Sequence, residues 1–320
     1  MKTVLVTGVA GFIGSNLTSA LLEKGYRVVG VDNFDDTYAT HFKEVQIAPF
    51  ADNGNYVLYR IDVCDAPALK AVFEKERPVY VVHLAAKVDT RSAVTMPHLY
   101  IAVNIEGTLT ILELSREYAV ENLVIASSSS VYGNSENVPW TEDETADRPL
   151  SPYGATKRAA ELLAYAYHHN FGIHITCLRY FNAYGENNRP TMVPYLWTEK
   201  LLRGEEIEIS GEGSRKRDYT YVGDIVQATL LAMEKPLGFE IINVGNNTPV
   251  SLTELLATLE KIVGTKAKVK SRPSHSASVE VTYANIDKAK KLLGWEPETS
   301  LEEGLTRLVS WFRANRLEER

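Results

Sequence analysis

Tyr153 and Lys157 stand four residues apart in Ser151-Pro152-Tyr153-Gly154-Ala155-Thr156-Lys157, and four serines, Ser127 to Ser130, precede them by about one structural unit. On a helix, positions i and i+4 share a face, so an ammonium at Lys157 would stand beside the Tyr153 phenol and favour its phenolate. A tyrosine with a lowered pKa is usable as a base near neutral pH, and such a base suits redox chemistry at a hydroxyl-bearing carbon. Tyr-x-x-x-Lys also arises by chance on solvated helices, so its meaning depends on the elements that position it.

Those elements alternate. Val4 to Thr7 reads as a buried strand and Phe12 to Leu22 as a helix with apolar residues at helical spacing, closing near Lys24-Gly25. Strands follow at Arg27 to Val31, Tyr56 to Ile61, Val79 to Leu84, Leu123 to Ser127 and Ile173 to Tyr180. Helices are expected at Ala66 to Glu76, around Ile101 to Tyr118, and at Tyr153 to His169, where Pro152 sits near a start that tolerates a missing N–H. This pattern predicts an α/β fold of the Rossmann type, a doubly wound parallel sheet with helices on both faces. After Asn182 the alternation weakens into short helices at Pro190 to Arg203, Tyr221 to Met233, Leu252 to Val263 and Leu301 to Arg313. A smaller, mixed α/β C-terminal lobe is expected from 182–218 and 246–320, against a nucleotide-binding domain over 1–181 that takes back segments near 219–245. Residues 134–151, rich in Pro, Glu and Asp, read as a loop covering the site.

The chain has 320 residues, enough for a large core, with 34 Lys plus Arg against 41 Asp plus Glu and a net charge of -7. That balance leaves no broad basic surface for nucleic acid or anionic lipid. No uncharged stretch approaches the roughly 18 residues that span a bilayer. The opening run Met1 to Gly14 is short, glycine-punctuated and without a small-residue cleavage site, unlike a signal peptide. Two distant cysteines, Cys64 and Cys177, fit buried thiols in a reducing cytoplasm, and no Cys/His spacing suggests a metal site. His168 and His169 are adjacent, so a helix points them to different faces.

Gly8, Gly11 and Gly14 follow the first strand and open the first helix, where glycines permit a tight turn and close approach of backbone to a pyrophosphate. Phe12, Ile13 and Asn33 belong to the same candidate cofactor site. Asp32 ends the second strand, where a carboxylate would meet an adenosine ribose; it bonds the hydroxyls of NAD and repels the 2′-phosphate of NADP. Asp62-Val63 and Leu84-Ala85-Ala86 also fall at strand C-terminal ends, where open α/β sheets bind ligands.

With the glycine turn, Asp32, the serine cluster and the Tyr153/Lys157 pair in this order, the chain resembles the extended short-chain dehydrogenase/reductases, specifically the nucleotide-sugar epimerases. It looks most like the UDP-glucuronate 4-epimerases, through Ala126 to Gly133, Ser151-Pro152-Tyr153, Asn188 to Met192 and Arg217 to Val222. The resemblance implies NAD as cofactor, a UDP-sugar as substrate and a homodimer paired through helices near 95–118 and 153–169. It implies that Ser128 bonds the sugar 4-hydroxyl and shares its proton with Tyr153, and that Lys157 holds the nicotinamide ribose. Tyr180, Phe181 and Val103 are implied beside the cofactor, with Ser127 structural or at the sugar. Asn182 and Arg217 match residues that hold the nucleotide-sugar phosphates, and a solvated basic turn accounts for Arg215 and Lys216.

Relatives that dehydrate or decarboxylate keep the tyrosine and lysine but carry acidic residues directly after the serine or threonine; here Ser129 and Ser130 stand there. Epimerisation at C4 through a 4-keto sugar is therefore the implied reaction. UDP-glucuronate fits Arg189 and Arg91 as partners for a carboxylate. Asn182 resembles the UDP-galactose enzymes instead, and Thr282 matches a position that leaves space for N-acetyl groups, so UDP-glucose or an N-acetylhexosamine stays open. Decarboxylation of UDP-glucuronate and a non-catalytic NAD-binding module are the further alternatives.

Overall fold

The computed structural model describes residues 1–272 and 279–316. In chain order the elements are β1 Thr3–Thr7, α1 Phe12–Glu23, β2 Arg27–Val31, α2 Thr40–Ile47, β3 Tyr56–Tyr59, α3 Ala66–Glu76, β4 Tyr80–His83, α4 Ser92–Thr95, α5 Pro97–Ile101, α6 Gly107–Glu117, β5 Asn122–Ser128 and α7 Pro152–Phe171. There follow β6 Ile175–Tyr180, β7 Asn182–Tyr184, α8 Val193–Arg203, β8 Glu206–Ser210, β9 Lys216–Tyr221, α9 Val222–Glu234, β10 Phe239–Val244, β11 Pro249–Ser251, α10 Leu252–Val263, β12 Lys268–Arg272, α11 Asp287–Leu293 and α12 Leu301–Asn315. A π-helical stretch, Ala102–Glu106, joins α5 to α6 into one bent rod.

Seven strands form the main sheet in the order β10-β6-β5-β4-β1-β2-β3, every pair parallel. Their side chains alternate between two cores. Val4, Val6, Val82 and Val124 pack with Leu17 and Leu21 of α1 and Ile225 and Ala228 of α9, while Leu5, Val81, Leu123 and Ile125 pack with Phe73 of α3, Ile111 of α6 and Ala164 of α7. Burial on both faces explains why these strands read as continuous apolar runs. The order reverses between β1 and β4, so their C-terminal ends diverge and open a crevice there.

The chain after β6 builds two small sheets. In one, β9 runs parallel to β7 and antiparallel to β11; in the other, β8 and β12 are parallel. Helices α8, α10 and α12 pack on one another beside them. β10 enters the main sheet beside β6, whereas Tyr219 to Tyr221 stay in the small sheet. The helix expected from Pro190 begins at Val193, with Pro194 in its first turn.

Two expectations are corrected. Cys64 is exposed, with its thiol 3.4 Å from the Ala102 carbonyl, while Cys177 is buried; both are free. The 134–151 loop does not cover the crevice. Trp140 is buried, stacks on Tyr132 at 5.0 Å, donates its backbone N–H to the Tyr283 carbonyl and accepts from Asn285 N, so the loop is stitched to the C-terminal lobe. His168 turns its ring to the Ile173 carbonyl at 2.8 Å, and no group of three or more metal-ligating side chains occurs among the described residues. Ser278, at a position that the resemblance to the UDP-galactose enzymes matches to an aspartate, lies outside the described residues.

Asp218 on β9 fastens the loops of the second lobe. Its buried carboxylate accepts from Asn246 N at 2.6 Å, Asn247 N at 3.1 Å and Ala284 N at 3.0 Å. Removing it would leave three backbone donors without acceptors. Asp218→Ala should lower stability by about 3 kcal/mol, read as a reduced urea midpoint with an unchanged m-value.

Candidate active site

A cavity of about 460 Å³ runs along the C-terminal edge of the sheet. One end is lined by Gly8, Gly11, Phe12, Ile13, Gly14, Asp32, Asn33, Asp62 and Val63; the middle by Leu84, Ala85, Ala86 and Val103; the other end by Ser127, Ser128, Tyr153, Lys157, Tyr180, Asn182 and Arg189. Residues remote in sequence meet there because each follows or ends a strand of one parallel sheet. Its walls also include Phe181, which the resemblance places beside the cofactor, and Tyr38, Lys43 and Lys87, which no sequence motif announces.

The glycine end is built by close approach. A Cβ on Gly14 would lie 2.1 Å from the Gly8 carbonyl oxygen, so only glycine lets α1 start directly under the turn. The first-turn N–H groups of α1 stay open to an anion. Asp32 is buried; it accepts from Ala10 N at 3.0 Å and Phe34 N at 2.8 Å, and Lys43 Nζ of α2 stands 3.8 Å away. Its carboxylate thus organises the turn as well as facing the cavity. Asn33 donates to Asp62 at 2.6 Å, and Lys87 donates to Asp35 at 2.5 Å and Thr37 at 3.1 Å, tying together the loops after β2, β3 and β4. A glycine cradle for a diphosphate, a ribose-facing carboxylate and an apolar middle fit a dinucleotide.

At the other end α7 sets the geometry. Ser151 caps it by accepting from Gly154 N at 3.2 Å, and a Cβ on Gly154 would lie 2.5 Å from the Ser130 carbonyl oxygen. Glycine therefore brings the helix against the serine turn, which places Tyr153 next to Ser128. Ser128 accepts from Ser130 N at 3.1 Å and donates to Ser130 Oγ at 3.2 Å. Tyr100 meets the Tyr153 ring edge-on at 6.4 Å, and Asn104 bonds both backbone groups of Lys87 and the Thr156 hydroxyl, fixing the loop after β4 to α7.

The expected coupling of Lys157 to Tyr153 is corrected. Lys157 is buried and donates to the Ala126 carbonyl at 2.8 Å; burial pushes its ammonium down to about 8, opposed by Cys177 and Glu161. Burial raises the Tyr153 phenol, and the Ser128 hydroxyl and the Arg189 guanidinium oppose that rise. The shared helix face holds, but burial is the leading influence on the phenol, and the groups that oppose it are Ser128 and Arg189 rather than the Lys157 ammonium.

Not every expected substrate residue lines the cavity. Arg91 is exposed at the start of α4. Arg217 lies on β9, where Nη1 donates to the Lys216 carbonyl at 2.7 Å. Thr282 is buried, accepts from Asp218 N at 2.9 Å and donates to Asn182 Oδ1 at 3.1 Å, so it reaches the cavity through Asn182. Ser127 directs its hydroxyl to Glu161 at 2.5 Å, and Tyr180 pairs its phenol with Thr229 at 2.8 Å and lends the cavity its ring. Carboxylates on the lining come from Asp32, Asp35, Asp62 and Asp89; the Ser128 to Ser130 segment contributes only hydroxyls and backbone.

Residues 5–308 match the profile of the family described as GDP-mannose 4,6 dehydratase. A UDP-glucuronate 4-epimerase of Thermodesulfobacterium geofontis is 44% identical over 316 residues, 98% of this chain and 97% of the relative. The structure of a Bacillus cereus UDP-glucuronic acid 4-epimerase in complex with UDP-glucuronic acid and NAD superposes with a TM-score of 0.92 at 34% identity, covering 98% of this chain and 99% of that one. A Thermotoga maritima UDP-glucose 4-epimerase with UDP-glucose superposes with a TM-score of 0.90 at 36% identity, again covering 98% and 99%.

The glycine cradle makes a direct prediction. Gly14→Ala should weaken NAD binding at least about tenfold, or 1.4 kcal/mol, by calorimetric titration, whereas an unchanged Kd would mean that the turn is not the diphosphate site.

Proposed function

This chain belongs to the GDP-mannose 4,6-dehydratase family, among the nucleotide-sugar epimerases of the extended short-chain dehydrogenase/reductases, and we propose that it is an NAD-dependent epimerase that inverts C4 of UDP-glucuronate to give UDP-galacturonate. One observation carries the reading: Ser128, Tyr153, Lys157 and Arg189 share one end of a cavity whose other end is a dinucleotide cradle. NAD, when bound, supplies a reversible hydride acceptor for C4, so the net redox change is zero.

The protein's part is acid–base chemistry and orientation. Tyr153 takes the proton of the 4-hydroxyl, and Ser128 bonds the same oxygen and shares that proton. Lys157 holds the nicotinamide ribose and contributes positive charge at the reacting end. The 4-keto sugar then turns to offer its other face, and Tyr153 returns the proton to the new hydroxyl. Ser129 and Ser130 supply no carboxylate for eliminating water, which favours epimerisation over the dehydration and decarboxylation run by relatives.

Arg189 lines the sugar end close enough for its field to act on Tyr153, and a guanidinium is the natural partner for a uronate carboxylate. The alternative, a UDP-glucose/UDP-galactose or N-acetylhexosamine epimerase, draws support from neutral Asn182 and its bond to Thr282. Arg217 and Asn182 hold the diphosphate of the nucleotide sugar in either case, with the segments 182–218 and 246–320 forming most of the substrate lobe. Arg91 stays a candidate for the sugar's outer rim.

Leu99 and Ile101 of α5, Leu109 of α6 and Leu162 and Tyr165 of α7 expose apolar surface on neighbouring helices, which supports a homodimer paired through these rods. The acidic net charge gives no footing for nucleic acid. Among the described residues no helix is long and apolar enough to cross a membrane, and the free cysteines suit the cytoplasm.

Tyr153→Phe should lower kcat about 10²- to 10⁴-fold while NAD is retained; near-normal turnover would sink the mechanism. Purified protein, without added NAD, should show its highest kcat/KM with UDP-glucuronate among UDP-glucuronate, UDP-glucose and UDP-N-acetylglucosamine. Arg189→Ala should cost the uronate about 10²-fold in kcat/KM and the neutral sugars far less.

A further inference from the structure

We propose that Glu161 is a positioning residue of this site: its buried carboxylate clamps Ser127, and with it the strand end that carries Ser128, and stands as counter-charge on the helix face of Lys157. The inference rests on the reading of Ser128, Tyr153 and Lys157 as the reacting trio.

Glu161 follows Lys157 by four residues and Tyr153 by eight on α7, so all three share one face. It is 1% exposed. Its Oε1 accepts from Ser127 Oγ at 2.5 Å and Arg179 Nε at 2.9 Å, and its Oε2 from Arg179 Nη2 and Arg158 Nη1, both at 2.9 Å. Four donors fill the carboxylate's acceptor sites, so neither oxygen can swing without losing a charge-assisted bond. On β5, period-two alternation turns Ser127 to α7 together with Leu123 and Ile125, which leaves Ser128 on the other side. Fixing Ser127 therefore fixes the pleat that aims Ser128.

A buried ion pair is weak evidence for stability, because apolar residues of equal volume often serve as well. Its location argues for another role. Acting on the Lys157 side chain are the Ala126 carbonyl on β5, which accepts its N–H, His83 on β4, Cys177 on β6 and Glu161 on α7, and Glu161 is itself paired with Arg158 and Arg179. Of these, Glu161 is the anion at neutral pH: burial works to raise its carboxyl, but the Arg179, Ser127 and Arg158 bonds outweigh it and hold it below the usual range. Burial keeps His83 neutral, at about 3, and pushes the Cys177 thiol up. The charge of Glu161 thus helps to keep Lys157 protonated against its own desolvation.

The test compares wild type, Glu161→Gln and Ser127→Ala by kcat and KM for UDP-glucuronate across pH, with Lys157 titrated directly by NMR of 13Cε-labelled lysine. Removing the anion lowers the pH at which Lys157 loses its proton. Glu161→Gln should therefore titrate Lys157 at lower pH, move the alkaline limb of kcat the same way, and lower kcat about tenfold with KM little changed. Ser127→Ala keeps the charge and should lower kcat without moving that limb. A Lys157 titration in folded Glu161→Gln that matches wild type overturns the proposal. If Glu161→Gln does not fold because Arg179 is left unpaired, Ser127→Ala decides alone, and wild-type kcat there overturns it. Wild type that epimerises no UDP-sugar would defeat the functional reading, while the Lys157 titration would still test this one.

Discussion

Parallel pairing is the constraint on which everything else in this molecule depends. Seven strands running the same way deliver every strand's C-terminal end to one edge of the sheet. The glycine turn after β1, Asp32 after β2, Asp62 after β3, the Leu84 loop after β4, the serines at the end of β5 and Asn182 after β6 meet there without any local contact in sequence. The reversal of strand order between β1 and β4 opens the crevice that a long ligand needs.

That edge is dry enough for burial to govern its charges. Lys157 and Asp32 each lie almost wholly inside, and each is satisfied by backbone or an opposite charge. Glu161 and Arg179, one layer deeper, bind α7 to the ends of β5 and β6. Arg179 also lies 4.7 Å over the Tyr132 ring, and Tyr132 bonds Asn243, which bonds the carbonyls of Trp140 and Asn285. One polar chain thus runs from the catalytic helix to the segment that adjoins Thr282. In a low-dielectric interior such a chain keeps its geometry because each member would be costly to leave unpaired.

Much of this was legible in the sequence. Apolar strands alternating with amphipathic helices announce the parallel sheet, since strands buried on both faces must be apolar throughout. Glycines at 8, 11 and 14 announce the cradle, since a Cβ would lie 2.8 Å from Ala85 N at Gly8 and 2.1 Å from the Gly8 carbonyl oxygen at Gly14. The π stretch before α6, the placement of Lys43 and Lys87, and the stitching of the 134–151 loop to the second lobe had no sequence signal. They depend on which surfaces meet after the chain has folded.

The sequence by itself determined the sheet, the cradle and the shared helix face of Tyr153 and Lys157, because periodicity and the size of glycine are local properties. Tertiary structure alone decided that Lys157 turns to the Ala126 carbonyl, that Ser127 faces Glu161, and that Thr282 reaches the cavity through Asn182 while Arg91 stays outside. Desolvation and hydrogen-bond pairing are sums over neighbours from distant parts of the chain, and no spacing along one strand or helix encodes them.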